Sequence, residues 1–274
     1  MPPEKVSGTS PNTLPEVSIV IPVMNEAGNI HPLIDALGGV FARRNIEIIY
    51  VNDASRDTTL AELEDAMKTI TPPVTLRVLS HNRRAGQSAA LRSAIAVAHA
   101  SAIATLDGDG QNLPKDIVRL EKTYRQAKAN KGNKDMVMVV GMRQNRQDNW
   151  LKLLASRIAT SARKWVLGDP HSDSGCGLKF FDKELFYRLP YFDHMHRFMP
   201  VLALREGAEV IGVPIGHAPR KHGQSKYTIR HRLGVGIIDI IGVWWLVRRS
   251  PQRLVASEVT INAKNKPKKT PGQA

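Results

Sequence analysis

The stretch SAIATLDGDGQ, residues 101–111, decides how this chain is read. Its first six residues, SAIATL, are apolar or small and predict a strand buried on both faces. Directly after them stand Asp107 and Asp109, with Gly108 between them and Gly110 following. Two carboxylates at i and i+2 repel each other unless a cation sits there. The glycines let the turn aim a carboxylate at a ligand, and Gln111 adds an amide oxygen. This oxygen set suits a hard ion such as Mg²⁺ or Mn²⁺, and such ions commonly bring a phosphate with them.

Outward from this point the same pattern repeats. VSIVIP (17–22), IEIIYV (46–51), VTLRVLS (74–80) and DMVMVVG (135–141) read as further strands. Helical stretches fall between them, from Glu26 to about Leu37, from Asp57 to about Thr69, and over QSAALRSAIAVAHA (87–100). Strands alternating with helices predict an α/β fold with a mostly parallel sheet and helices on both faces. In such sheets ligands gather at the carboxyl ends of the strands. There the sequence places Pro22 to Glu26, Asn52 to Asp57, and Asp107 to Gln111. Asn25, Ser55 and Asp57 are also candidates for plain helix caps. No G-x-G-x-x-G follows the first strand and no P-loop occurs anywhere, which argues against a dinucleotide oxidoreductase or a P-loop NTPase.

Beyond Gly141 the pattern loosens. Residues 148–167 read as one long basic helix, 177–181 and 208–215 as strands, and 195–206 as a helix. A basic loop over 216–228 leads to a last helix over 229–247. The chain has 274 residues and a net charge of +14, which attracts phosphates, nucleic acid or anionic lipid. Cys176 is the single cysteine, so no internal disulfide exists, and between two glycines it reads as a small packing residue. No apolar signal core opens the sequence and no apolar run reaches the roughly 20 residues of a spanning helix. A secreted disulfide scaffold and a multi-span membrane protein are therefore not expected. His194 and His196 lie close together, but no further zinc-type ligand pattern accompanies them.

The three strand-end motifs, S-I-V-I-P-V-M-N-E, V-N-D-A-S-R-D and L-D-G-D-G-Q-N-L-P, stand in order along the chain. Together they resemble the nucleotide-sugar half of the GT-A inverting glycosyltransferases, and more narrowly the dolichol- and polyprenyl-phosphate glycosyltransferases. G-M-R (141–143), the S-R within LLASRIATS (153–161), D-S-G-C-G-L-K (173–179) and R-K-H-G-Q-S-K-Y (220–227) extend the likeness over roughly 16–247. The resemblance implies a GT-A, Rossmann-like fold and a donor pocket lined by Pro22, Glu26, Val51 and Asp53. It implies that Asp107, Gly108 and Asp109 meet the diphosphate, with Asp109 and Gln111 as metal ligands and Asp107 supporting them or the sugar. Arg220 and Lys226 match a pair that closes over the donor diphosphate. Arg143, Arg157 and Ser161 match the groups that receive the acceptor phosphate, which makes Asp107, Asp109 and Arg143 the residues expected at the chemistry. Met24 stands where the family often has an aromatic residue, which bears on the base, and a UDP-sugar is favoured over GDP-mannose.

A lipid acceptor requires a membrane. LGVGIIDIIGVWWLV (233–247) is apolar except for Asp239 and would extend about 22 Å as a helix, short of a ~30 Å hydrocarbon core. Arginines flank it, and Trp244 and Trp245 are residues favoured at an interface. The expectation is a C-terminal interfacial helix on a peripheral enzyme at the cytoplasmic membrane face, with a small integral-membrane partner as a further implication of the resemblance. The domain reading is a flexible arm over 1–15, the catalytic domain over 16–228, the membrane-interface helix over 229–250 and a basic tail over 251–274. Two other functions compete: a GT-A enzyme with a soluble or polysaccharide acceptor, and a basic nucleic-acid-binding protein. Aromatic residues are only 5% and show no interleaved stacking pattern, so nucleic acid is not an expected partner.

Overall fold

The computed structural model describes residues 14–130, 136–143, 166–168, 175–219 and 229–249, with side chains from residue 238 onward in the last segment. The near-continuous apolar runs do form strands: β1 (Val17–Val23), β2 (Ile46–Asn52), β3 (Val74–Ser80), β4 (Ala102–Thr105) and β5 (Val137–Arg143). Two more follow, β6 (Lys179–Asp182) and β7 (Glu209–Ile215). The seven make one sheet in the order β3-β2-β1-β4-β6-β5-β7. β1 pairs in parallel with β2 and β4, β2 with β3, and β5 with β7. The sheet is thus mostly parallel as expected, and β6 is its exception, running antiparallel between β4 and β5.

Strand periodicity sorts the core into two layers. Ile19, Ile21, Ile48, Tyr50, Val137 and Val139 face one layer, while Val20, Ile49, Val51, Met138 and Val140 face the other. The first layer is closed by α1 (Ile30–Phe41), α2 (Thr59–Thr69) and α4 (Pro114–Asn130). The second is closed by α3 (Gln87–Val97), α5 (Lys183–Arg188), α6 (Met199–Arg205) and Val243 of α7 (Ile229–Arg248). Ala90 and Ala94 of α3 are fully buried, so small side chains bring that helix close to the sheet. Burial on both faces of β1, β2 and most of β4, β5 and β6 explains why so few of their residues alternate with polar ones; the edge strands β3 and β7 are only partly covered.

Several elements differ from the sequence reading, among them α5, for which that reading had no helix. α1 begins four residues later than Glu26, because Asn25 (φ 49°) and Gly28 (φ 81°) take left-handed conformations that a helix cannot contain. The helix expected over 195–206 is divided into a 3₁₀ turn (Met195–Arg197) and α6, preceded by His194 at φ 63°. α4 was not anticipated, although Ile117, Leu120, Tyr124 and Ala127 stand at helical spacing; its buried face also takes in Asp116 and Glu121. The long basic helix expected over 148–167 lies outside the described residues except for Val166 and Leu167, which are helical.

β1 leads to β2 and β3 on one side, and the chain then returns to place β4 on the other side of β1. This is a topological switch point, where the loops leaving β1 and β4 part and open a crevice. The loops after β1, β2 and β4 all emerge at that edge.

Candidate active site

The first wall of the crevice is a pair of cross-linked loops, 24–29 and 53–59. The Asn25 amide donates to Ser55 Oγ at 2.9 Å, and the Arg56 amide donates to Asn25 Oδ1 at 2.7 Å. The Glu26 amide donates to Thr59 Oγ1 at 2.8 Å, and the Ala27 amide to Asp57 Oδ2 at 3.2 Å. The Gly28 amide meets both oxygens of Glu62. Asn25 and Ser55 are therefore loop-to-loop ties and not the helix caps considered from sequence, whereas Asp57 is both a tie and a cap: its Oδ1 also accepts from the Thr59 amide at 3.1 Å, at the start of α2. Of the expected donor-pocket residues, Pro22 is half-buried and Glu26 is nearly buried, its carboxylate accepting from Asn29 Nδ2 at 3.0 Å. Val51 sits opposite Pro22 in the sheet register with no exposed surface, so it shapes the crevice from within the core.

Asp53 is buried at the end of β2. Its Oδ1 accepts from His81 Nδ1 and the Ala85 amide, and its Oδ2 from the Gly86 amide, all at 2.8 Å. Burial pushes its carboxyl upward, but the His81 bond and the two amides outweigh this and hold it below the usual range. Its carboxylate thus anchors the loop 81–86, which carries Arg83 and Arg84, to the strand edge.

The second wall is the turn after β4. Gly108 has no room for a side chain: a Cβ there would lie 2.3 Å from Val23 Cγ1. Gly110 takes φ 72°, and the Gln111 amide closes the turn on Asp109 Oδ1 at 3.1 Å. Asp107 is half-buried and receives Gln87 Nε2 at 3.1 Å and Asn112 Nδ2 at 3.4 Å. Burial, then the neighbouring Asp109 charge, raises its proton affinity, while Lys179 and Arg143 pull it back down. Arg143 ends β5 opposite Ile215 of β7, so the structure brings Asp107, Asp109, Gln111 and Arg143 to one sheet edge. Arg157, Ser161, Arg220 and Lys226 lie outside the described residues.

Besides His81, Gln87 and Asn112, two more residues at this edge had no role in the sequence reading. His217, just after β7, brings Nε2 to 3.4 Å from Gln111 Nε2. Its neighbours are fixed to the same turn: the Gly216 amide donates to Asp116 Oδ2 at 3.0 Å and the Ala218 amide to the Gln111 carbonyl at 2.9 Å. A histidine two residues past a strand and facing the acidic motif was the available signal. Lys179 is the other, a lysine only 3% exposed inside β6. His194 and His196 diverge: His196 Nδ1 meets Ser88 Oγ at 2.9 Å, and His194 turns towards Asp193 and Asp239. Cys176 is fully buried in the core, as its small size predicted.

Among the described residues no three His, Cys, Asp or Glu side chains converge on one point. Asp109 and Gln111, the ligands expected from sequence, share the turn after β4, and the His217 imidazole lies against the Gln111 side chain. Hard oxygen donors with one imidazole fit Mg²⁺ or Mn²⁺ and leave positions for diphosphate oxygens.

The family model for glycosyl transferase family 2 matches residues 18–190, which span all of these motifs. The chain belongs to that family. Among curated relatives, glycosyl transferase family 2 similarity includes a dodecaprenyl-phosphate galacturonate synthase from Rhizobium johnstonii, 31% identical over 89% of this chain and 71% of the relative. Undecaprenyl-phosphate 4-deoxy-4-formamido-L-arabinose transferases from Aeromonas hydrophila and Pseudomonas fluorescens are 31% and 34% identical over 80% and 77% of this chain. The chain spans 65% and 60% of the length of those two relatives. A crystal structure of glucosyl-3-phosphoglycerate synthase from Mycobacterium tuberculosis, with Mg²⁺ and uridine diphosphate, superposes with a TM-score of 0.60. It is 18% identical, over 86% of this chain and 80% of that one, and confirms the GT-A fold. As a family 2 member the chain is thus an α/β protein of the glycosyltransferase class, with its acidic motif at the switch point.

Proposed function

We propose that this protein transfers a sugar from a nucleotide-sugar donor, UDP-linked in preference to GDP-linked, to a polyprenyl phosphate. The observation that carries the reading is the convergence of Asp107, Asp109, Gln111 and Arg143 at one sheet edge, in a chain whose relatives bear polyprenyl-phosphate transferase names. Asp109, Gln111 and His217 would hold the divalent ion, Mg²⁺ or Mn²⁺. When bound, that ion neutralises the diphosphate and so stabilises the departing nucleoside diphosphate.

The chain's own residues do the rest. Pro22 and Glu26 border the nucleoside, and Asp53 fixes the loop beside it. Asp107 faces the donor sugar. Arg143, with Arg157 and Ser161, receives the acceptor phosphate, whose two forked guanidinium partners fix its orientation. A lipid monophosphate has a second pKa of about 6, so it is largely dianionic at neutral pH and needs no strong general base. One acceptor oxygen forms a bond to the anomeric carbon as the bond from that carbon to the donor phosphate breaks. Positioning supplies much of the rate, and Arg220 and Lys226 meet the charge growing on the leaving group. A single displacement inverts the anomeric centre.

The acceptor also requires a lipid surface. No helix among the described residues is long and apolar enough to cross a membrane. α7 instead has two sides: Val243 is buried and Ile240, Trp244 and Val247 pack towards the core, while Ile238, Ile241 and Trp245 are 72%, 59% and 51% exposed. Positions i, i+3 and i+7 make one outward stripe, and Arg248 and Arg249 lie over the Trp244 and Trp245 rings at 4.4 and 5.3 Å. Such a stripe suits the interface of an anionic membrane. This supports peripheral attachment to a membrane; the cytoplasmic face and a small integral-membrane partner are further parts of the proposal.

Isothermal titration with UDP and with GDP, each with Mn²⁺ or Mg²⁺, tests the donor site. The expected result is metal-dependent binding of UDP in preference to GDP, lost in Asp109→Ala. Binding that is independent of metal and unchanged in that variant would overturn the assignment.

A further inference from the structure

We propose that Lys179 is a positioning residue for Asp107, a role that rests on the donor-site reading above. The antiparallel insertion of β6 is what creates it. The register sets Lys179 opposite Thr105, the last residue of β4, and opposite Val140 of β5. A lysine at 3% exposure in the middle of a sheet has an ammonium group that water does not solvate. Burying such a charge is costly unless a counter-charge and hydrogen bonds offset it.

Both are present. Lys179 Nζ donates to the carbonyl of Cys176, and its charge acts on Asp107. The next residue, Gly177, is the seat of the Asp107 carboxylate: a Cβ on Gly177 would lie 2.1–2.2 Å from the carboxyl carbon and both its oxygens. Thr105 Oγ1 donates to the Gly177 carbonyl at 2.6 Å and fixes that seat from the β4 side. Gln87 Nε2 holds Asp107 Oδ1 from the third side. Lys179 therefore acts twice on one carboxylate. It clamps the 176–177 turn against which Asp107 rests, and it supplies the positive charge that balances Asp107 where Asp109 repels it. Asp107 in turn stands behind the residues that would hold the ion.

The test is Mn²⁺ affinity, measured by titration calorimetry with UDP and separately with GDP present, for the wild type, Lys179→Met, Lys179→Arg, Asp107→Asn and the Lys179→Met/Asp107→Asn double variant. The expected result is Mn²⁺ binding at least about tenfold weaker in Lys179→Met, as for other supporting partners of metal ligands. Lys179→Arg restores most of that loss. The double variant binds no more weakly than Asp107→Asn alone, because the two side chains act through one another. Should Lys179→Met be too unstable to titrate, the double variant is expected to melt at a higher temperature than it, since the uncompensated carboxylate is gone. Wild-type Mn²⁺ affinity in Lys179→Met, losses that add in the double variant, or a double variant as unstable as Lys179→Met would each overturn the proposal. An Asp109→Ala control separates the two readings. If the wild type binds Mn²⁺ with neither nucleotide, the donor-site reading fails and this inference with it. If Asp109→Ala abolishes binding and Lys179→Met does not weaken it, only the role of Lys179 falls.

Discussion

His81 donates through Nδ1 to Asp53 Oδ1 at 2.8 Å, joining the first residue after β3 to the end of β2. Ser93 Oγ lies 3.0 Å from the other imidazole nitrogen, so the bond continues onto α3. Replacement of Asp53 by Asn keeps one acceptor but sets an amide N–H against donors. The loss of charged hydrogen bonds predicts a cost of about 2 kcal/mol in urea unfolding. The carboxyl is held below its usual range in the folded state, so the stability it provides is present above an unfolded pKa of about 3.9 and is lost as pH falls through the folded value. The gap between wild type and Asp53→Asn is thus expected to be full at neutral pH and to close in acid.

Gly177→Ala pushes a methyl group into the Asp107 carboxylate. The expected outcome is a fold retained by circular dichroism with transfer activity reduced by more than about 100-fold, the scale on which small misplacements at a reacting centre act. Gly175→Ala is the control, because a Cβ there meets nothing within 4 Å and near-wild-type activity is expected.

Burial, together with the charges of Lys179, Arg197 and His194, drives His196 down to about 3. The unfolded chain binds its proton near pH 6.5, so between these values unfolding takes up a proton and stability falls as pH falls. The slope from this group is up to about 1.4 kcal/mol per pH unit. Chemical denaturation across pH 4–7 is expected to show a flatter profile for His196→Asn than for the wild type.

The exposed stripe of α7 predicts binding to vesicles containing anionic lipid. Ile241→Glu/Trp245→Glu is expected to reduce co-sedimentation at least tenfold while leaving the thermal midpoint within a few degrees, because both residues are more than half exposed.

The legible parts of the molecule are those where one residue type has one physical meaning. Runs such as VSIVIP and IEIIYV bury both faces, and the pair Asp107–Asp109 has no simple capping role, so strands and acidic motif were both visible in the sequence. α4 carries Ile117, Leu120, Tyr124 and Ala127 at helical spacing and was open to the same reading; what no local pattern announces is Arg44 from beyond α1 neutralising the buried Glu121 across 77 positions. The direction of β6 depends on a neighbour that a linear reading does not supply. His217 and Lys179 gain their meaning only from that arrangement, one beside Gln111 and the other behind Asp107.

The most direct measurement is transfer of radiolabelled sugar from UDP- and GDP-linked donors to polyprenyl phosphate in anionic vesicles, beside soluble phosphate acceptors, for the wild type and Asp109→Ala. The account predicts label that moves into the lipid phase, requires Mg²⁺ or Mn²⁺, and disappears in the variant. Label passing only to soluble acceptors, or reaching lipid equally well in Asp109→Ala, would contradict it.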